Sequence, residues 1–131
     1  MEVMWRYEIR TKLLCDILNS TGNKDKRLSA IFRYTEIIRG FDAIAFLIYL
    51  LNNDEMDKFT RIVLTERLKD NYRMFKSKYS LNEQLINNEI DKSKEKLLND
   101  KSQIDECFVN SPQMRYYDFS DEAITERIKK I

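Results

Sequence analysis

Histidine is absent from this chain, and glycine, proline and cysteine occur only two, one and two times. Without histidine the chain lacks the side chain most often used as a general base and as a metal ligand near neutral pH. Two cysteines, Cys15 and Cys107, can supply neither a tetrahedral thiolate site nor a disulfide framework for 131 residues. Both stand among apolar neighbours and are expected to be buried, inert thiols. Two glycines and one proline are too few for a turn-rich β architecture or for the usual phosphate-cradling loops. Long apolar runs are missing as well. The longest apolar run, residues 43–51, is nine residues long, under half of the ~20 that a membrane span requires. No charge of one sign dominates: 23 basic residues against 22 acidic ones leave +1. Nucleic-acid binding draws on concentrated basic charge, which is not found here, so no nucleic-acid partner is expected. No metal and no cofactor are expected either.

What remains is a chain that is 43% apolar and 34% charged, a globular rather than disordered composition. Its length predicts a single domain, residues 1–131, with enough core to fold unaided. The stretch from Gly40 to Asn53 stands out. A helix that is apolar all round must be buried all round, so residues 42–52 are expected to form a central helix with Asp42 as its N-cap. The fold class predicted is all-α, a compact bundle of about seven helices around that central helix.

The other elements follow from helical spacing. Residues 2–18 carry an apolar stripe of Met4, Tyr7, Leu14 and Leu18, with Trp5 as an anchor. A second helix is predicted over 26–39, stopped by Gly40. A third runs over 55–78, with Asp54 and Glu55 at its positive end and Glu66 and Asp70 facing Lys69 and Arg73. Ser80-Leu81-Asn82-Glu83 is a capping-box pattern opening a polar helix over 82–103, attached by a thin stripe that includes Ile86, Ile90 and Leu97. Ser102 is placed as the cap of a short helix over 103–109, which Pro112 ends. Residues 114–119 form an aromatic loop with Tyr116, Tyr117 and Phe119, suited to plugging the core or to meeting a partner. Ser120 then caps a last helix with Ile124, Ile128 and Ile131 inward.

Carboxylates gather at Asp54, Glu55 and Asp57, at Asp105 and Glu106, and at Asp118, Asp121 and Glu122. Paired carboxylates catalyse when burial drives their pKa values apart. An enzyme using Asp54, Glu55 and Asp57 is therefore one alternative. Their positions at helix starts fit the helix dipole instead, and no enzymatic activity is expected. Lys24-Asp25-Lys26-Arg27 and Lys92-Ser93-Lys94-Glu95-Lys96 alternate in sign and read as solvated faces. The opening residues Met1-Glu2-Val3-Met4-Trp5-Arg6 lack a signal-peptide pattern, so a reducing, cytoplasmic compartment is expected.

Four stretches carry a family resemblance. Phe32-Arg33-Tyr34-Thr35-Glu36-Ile37-Ile38-Arg39-Gly40 followed by Ala45-Phe46-Leu47-Ile48-Tyr49-Leu50 resembles the opening of a regulator-of-G-protein-signalling (RGS) domain. Ile104-Asp105-Glu106-Cys107-Phe108-Val109 is similar to that family's aromatic helix, and Asp118-Phe119-Ser120-Asp121-Glu122 to the acidic opening of its last helix. Asp57-Lys58 and Glu106 stand where the family has a Glu-Asn pair and an asparagine. The resemblance implies a non-catalytic module that binds the switch loops of a G-protein α subunit and speeds GTP hydrolysis without donating a catalytic group. Its contacts would come from Asn52, Asn53, Asp54, Glu55 and Asp57, from Glu106, and from Asp118, Ser120 and Asp121. The alternative within protein recognition is a viral-type Bcl-2-like regulator of host cell death or innate signalling that holds a partner helix in a groove.

Overall fold

The computed structural model describes residues 2–19, 23–38, 41–53, 56–76 and 83–131. These form seven α-helices and contain no strand, so the all-α class holds. They fall into two compact units, Met1–Arg39 and Gly40–Ile131. No described helix is long and apolar enough to cross a membrane. Gly22, Gly40, Asp54, Glu55, Tyr79 and the Ser80 capping box lie outside the described residues, as do the side chains of Met4, Trp5 and Tyr7.

The first unit is α1 (Glu2–Asn19) packed on α2 (Lys24–Ile37). Asn23 caps α2, its Oδ1 accepting the Lys26 amide at 3.1 Å. The helix thus starts two residues before the expected position and ends at Ile37. That start puts Arg27 on one face with Ile31 and Tyr34, and Arg27 is only 1% exposed. The solvated face expected for the first basic stretch is corrected at this residue. Thr35, also buried, turns its hydroxyl back onto the Ile31 and Phe32 carbonyls, which satisfies it within its own helix.

The second unit holds α3 (Phe41–Leu51), α4 (Lys58–Phe75), α5 (Glu83–Asn99), α6 (Glu106–Val109), a 3-10 turn at Pro112–Met114 and α7 (Asp121–Lys129). Here the expected centre moves. Ala43, Ile44, Leu47, Leu50 and Leu51 of α3 are buried, but Ala45 is exposed and Tyr49 is 61% exposed. α3 is therefore not buried all round. The stretch that has this property is the first part of α4, where every residue from Phe59 to Thr65 is buried; α4 packs against both α3 and α5. Polarity hid it, since Thr60, Arg61 and Thr65 interrupt its apolar run. Each of them is satisfied close by. Thr60 donates to Asp57 Oδ1 at 2.6 Å and Thr65 to the Arg61 carbonyl at 2.7 Å. A buried hydroxyl with a partner carries little penalty.

Asp57 is the N-cap of α4, its Oδ2 accepting the Thr60 amide at 2.9 Å. The helix starts at Lys58 and not at residue 55, because the two bonds that Thr60 donates to the Asp57 carboxylate fix the first turn. Lys58 Nζ then reaches the Asp100 and Ser102 carbonyls at 2.8 and 3.0 Å, pinning the chain that leaves α5. α5 packs through Ile86, Ile90, Ser93 and Leu97, a stripe at alternating steps of four and three. α5 ends at Asn99 rather than residue 103, and the α6 cap is Asp105 rather than Ser102. Ser102 instead donates its amide and hydroxyl to Asp100 Oδ1. α7 is capped by Ser120 as expected, and Ile124 and Ile128 join Ile62 and Leu97 in one core cluster.

Truncating the buried first part of α4 should be costly, and truncating the outer face of α3 should not. Phe59→Ala is expected to lose about 3–5 kcal/mol, and Tyr49→Ala less than about 0.5 kcal/mol. Urea denaturation of both variants measures the contrast, and equal losses would return the centre to α3.

Candidate functional site

The α6–α7 face is built on one ring. Phe59 of α4 stands 5.1 Å from Phe108, 5.3 Å from Phe119 and 6.5 Å from Tyr117, with Phe119 and Tyr117 approaching edge-on. Such tilted and edge-to-face pairs suit the ring quadrupoles. Asp105 starts α6 by accepting the Cys107 amide, which directs Phe108 inward, where it is fully buried. Arg127 of α7 lies 5.4 Å from the Phe59 centroid and 5.6 Å from that of Tyr117. Its guanidinium grips Glu66 with two bonds, Nε to Oε2 at 2.8 Å and Nη2 to Oε1 at 2.7 Å. Those bonds raise the already high pKa of Arg127 against the opposing effect of its partial burial. The pair fixes the Arg127 plane, and that plane backs the Tyr117 ring.

The result is an aromatic surface held from below. Tyr116 is 85% exposed and Tyr117 48%, with Val109 also exposed beside them. Arg115 stands over the Tyr116 ring at 4.8 Å. A shallow cleft of about 390 Å³ runs here over Ile104, Val109, Met114 and Phe119, with Asp118 and Asp121 on its wall. The aromatic loop thus divides, Phe119 packing onto the core and Tyr116 facing out.

The residues proposed from sequence as partner contacts sit in three settings. Asp118, Ser120 and Asp121 share the cleft just described. Asp118 Oδ1 accepts the Ser120 amide at 2.9 Å, and Ser120 Oγ accepts that of Ala123. Asp121 also faces a second cleft, of about 280 Å³, that includes Lys58, the neighbour of Asp57. Asn52 opens elsewhere, on a third cleft beside α5. Its Nδ2 bonds to the Ile48 carbonyl and to Glu89, and its Oδ1 accepts from Lys92. The Asn53 carbonyl accepts from Arg61 Nη2. Glu106 is exposed in the first turn of α6 and lines none of these clefts. Asp54 and Glu55 lie outside the described residues.

Sequence spacing missed Arg127 and Glu66. Glu66 was assigned to local helix pairs, and its partner lies 61 positions away, a distance no helical spacing reports. The thiols need a correction too, since Cys15 and Cys107 are both exposed. Helical spacing placed them by their sequence neighbours, whereas each points off its helix toward solvent. Among the described residues, no group of three or more Cys, Asp or Glu side chains could hold a metal ion. No family model, no curated protein and no solved structure matches the chain.

Two carboxylates titrate below their ordinary value of 3.8. Partial burial pushes Asp100 up, but the Ser102 hydroxyl and amide, with the Lys58 and Arg61 charges, outweigh it. Asp118 is lowered mainly by the Ser120 amide, then by the Ser120 hydroxyl. A depressed folded pKa means stability that is present above 3.8 and lost as pH falls through the folded value. The variant Asp100→Asn with Asp118→Asn should therefore show a flatter loss of stability than the parent below pH 3.8. Urea titrations at successive acid pH values read this slope, and parallel acid limbs would show that neither carboxylate matters to folding.

Proposed function

We propose that this chain is a non-catalytic protein–protein recognition module whose contact face is the α6–α7 surface. The observation that carries this reading is the outward Tyr116–Tyr117 pair, backed by an arginine that is itself locked to Glu66. Tyrosine and arginine are enriched among the residues that dominate binding energy, and anchors already fixed in the free protein lose less freedom on association.

In its finer form the reading is an RGS-like regulator of a G-protein α subunit. Asp57, Asp118 and Ser120 are short polar side chains at rigid helix starts. Such groups are suited to holding mobile switch loops in the geometry for hydrolysis, where positioning supplies most of the rate gain. Titration against nucleotide-loaded α subunits of the source organism, with and without the transition-state mimic, tests this form, together with single-turnover GTP hydrolysis. Failure with all of them, by a folded protein, would move the finer reading to a groove-type helix binder.

Tyr116→Ala and Tyr117→Ala should each weaken partner binding by roughly tenfold or more. Tyr116→Ala should leave stability within about 0.5 kcal/mol of the parent. A photo-crosslinking group at residue 116 that joins no partner, or unchanged affinity in both variants, would remove the surface from consideration.

A further inference from the structure

The cleft beside the aromatic loop carries charges of both signs on its wall. Arg115, Tyr117, Asp118 and Asp121 all line this one space of about 390 Å³, and the rest of its lining is mostly apolar. Along the chain the order is base, two aromatic rings, acid: Arg115, Tyr116, Tyr117, Asp118, with Asp121 three positions further on. The charged residues at both ends are exposed, and so are the rings between them. Arg115 stands over the Tyr116 ring. Among the described residues, neither Arg115 nor Asp121 takes part in an ion pair. Asp121 also borders the cleft that holds Lys58, but the Lys58 ammonium is bonded to the Asp100 and Ser102 carbonyls.

A base–aromatic–acid order is complementary to its own reverse. In a two-fold contact the same patch meets itself, and when residue i faces residue j, j also faces i. With the axis near Tyr117, Arg115 of one copy falls beside Asp118 and Asp121 of the other, and symmetry makes the same pairing a second time. The residue on the axis meets its own twin. A charged side chain there would repel itself, whereas a tyrosine ring can pack against a second one. The same contact covers Tyr116 and Val109, which the single chain leaves exposed.

Resting on the reading of the α6–α7 surface as a recognition face, we propose that its occupant is a second copy of this chain, joined by a two-fold contact that sets Arg115 against Asp121 across the Tyr116–Tyr117 patch. The patch is small, so the dimer is weak and forms at micromolar concentration or above. Self-association covers the face, and any other protein meets it only on the monomer.

Sedimentation equilibrium of the full chain, from low-micromolar to sub-millimolar concentration, tests the contact. A monomer–dimer equilibrium is expected, and dilution of the isotope-labelled protein should shift the NMR amide signals of Val109, Tyr116 and Tyr117. Arg115→Glu and Asp121→Lys should each weaken the dimer by roughly tenfold or more, because each sets like charges face to face twice. Mixed in equal amounts, the two variants should recover the parental affinity, since only the mixed pair sets the new glutamate against the new lysine. A misfolded variant could not be rescued in this way. Lys130→Glu, the same change of charge at an exposed site outside the cleft, should leave the dimer unchanged. A chain that stays monomeric, or dilution shifts centred on the outer face of α3 around Tyr49, would overturn the contact. So would a mixture that shows no recovery although both variants keep the parental circular dichroism. A crosslink from residue 116 to a different protein, with the chain monomeric throughout, would remove the second copy as occupant and keep the recognition face.

Discussion

The second unit depends on α4 being buried while carrying polar side chains at its middle. Burial of a threonine or an arginine is tolerated only when each donor finds an acceptor. Here the acceptors are one turn away or at the end of the neighbouring helix: Asp57 for Thr60, the Arg61 carbonyl for Thr65, and the Leu51 and Asn53 carbonyls for Arg61. Because those groups are satisfied, α4 can present core on several sides at once. α3 and α5 then pack on it, and Phe59 is left to receive the rings of the α6–α7 segment.

Phe59 and Glu66, seven positions apart, share one side of α4, and Arg61 lies on another. Toward α7, α4 supplies Phe59 and Glu66, and the chemistry is aromatic with carboxylates at the edge. Toward the end of α3 it supplies Arg61, which is bonded to the Leu51 and Asn53 carbonyls.

Several local rules in the sequence were legible where partner and residue lie within a turn or two, although the Asp57 and Asp105 caps were missed. The Ser120 cap, the isoleucines of α7, the stop at Pro112 and the aliphatic positions of α5 all follow from such spacing. Other misreadings occurred where hydrogen bonding or a distant partner overrides what composition suggests. The apolar run of α3 suggested the centre, yet α4 took it through hydrogen bonds that hydropathy does not count. The aromatic loop was visible as a cluster, but not the Arg127–Glu66 pair that stiffens it. Sequence spacing does not single out Arg61 or Ser93, because nothing in their neighbours reveals that they meet at one cleft.

The bonds that hold α7 share a property with a kinetic side. Arg127 to Glu66, Lys94 to the Lys129 carbonyl and Lys69 to the Ile131 carbonyl join residues 61, 35 and 62 positions apart. The caps and hydroxyl bonds of α4 close over three or four. Contacts distant in sequence form after local ones, because the loop between them must be closed first. α4 can therefore take shape early, and α7 docks onto a scaffold that already exists. The aromatic face, which needs Arg127 behind Tyr117, comes into being only at that last step. Partial opening at α7 would erase it while α3, α4 and α5 stay packed, so the face reports that folding has reached completion.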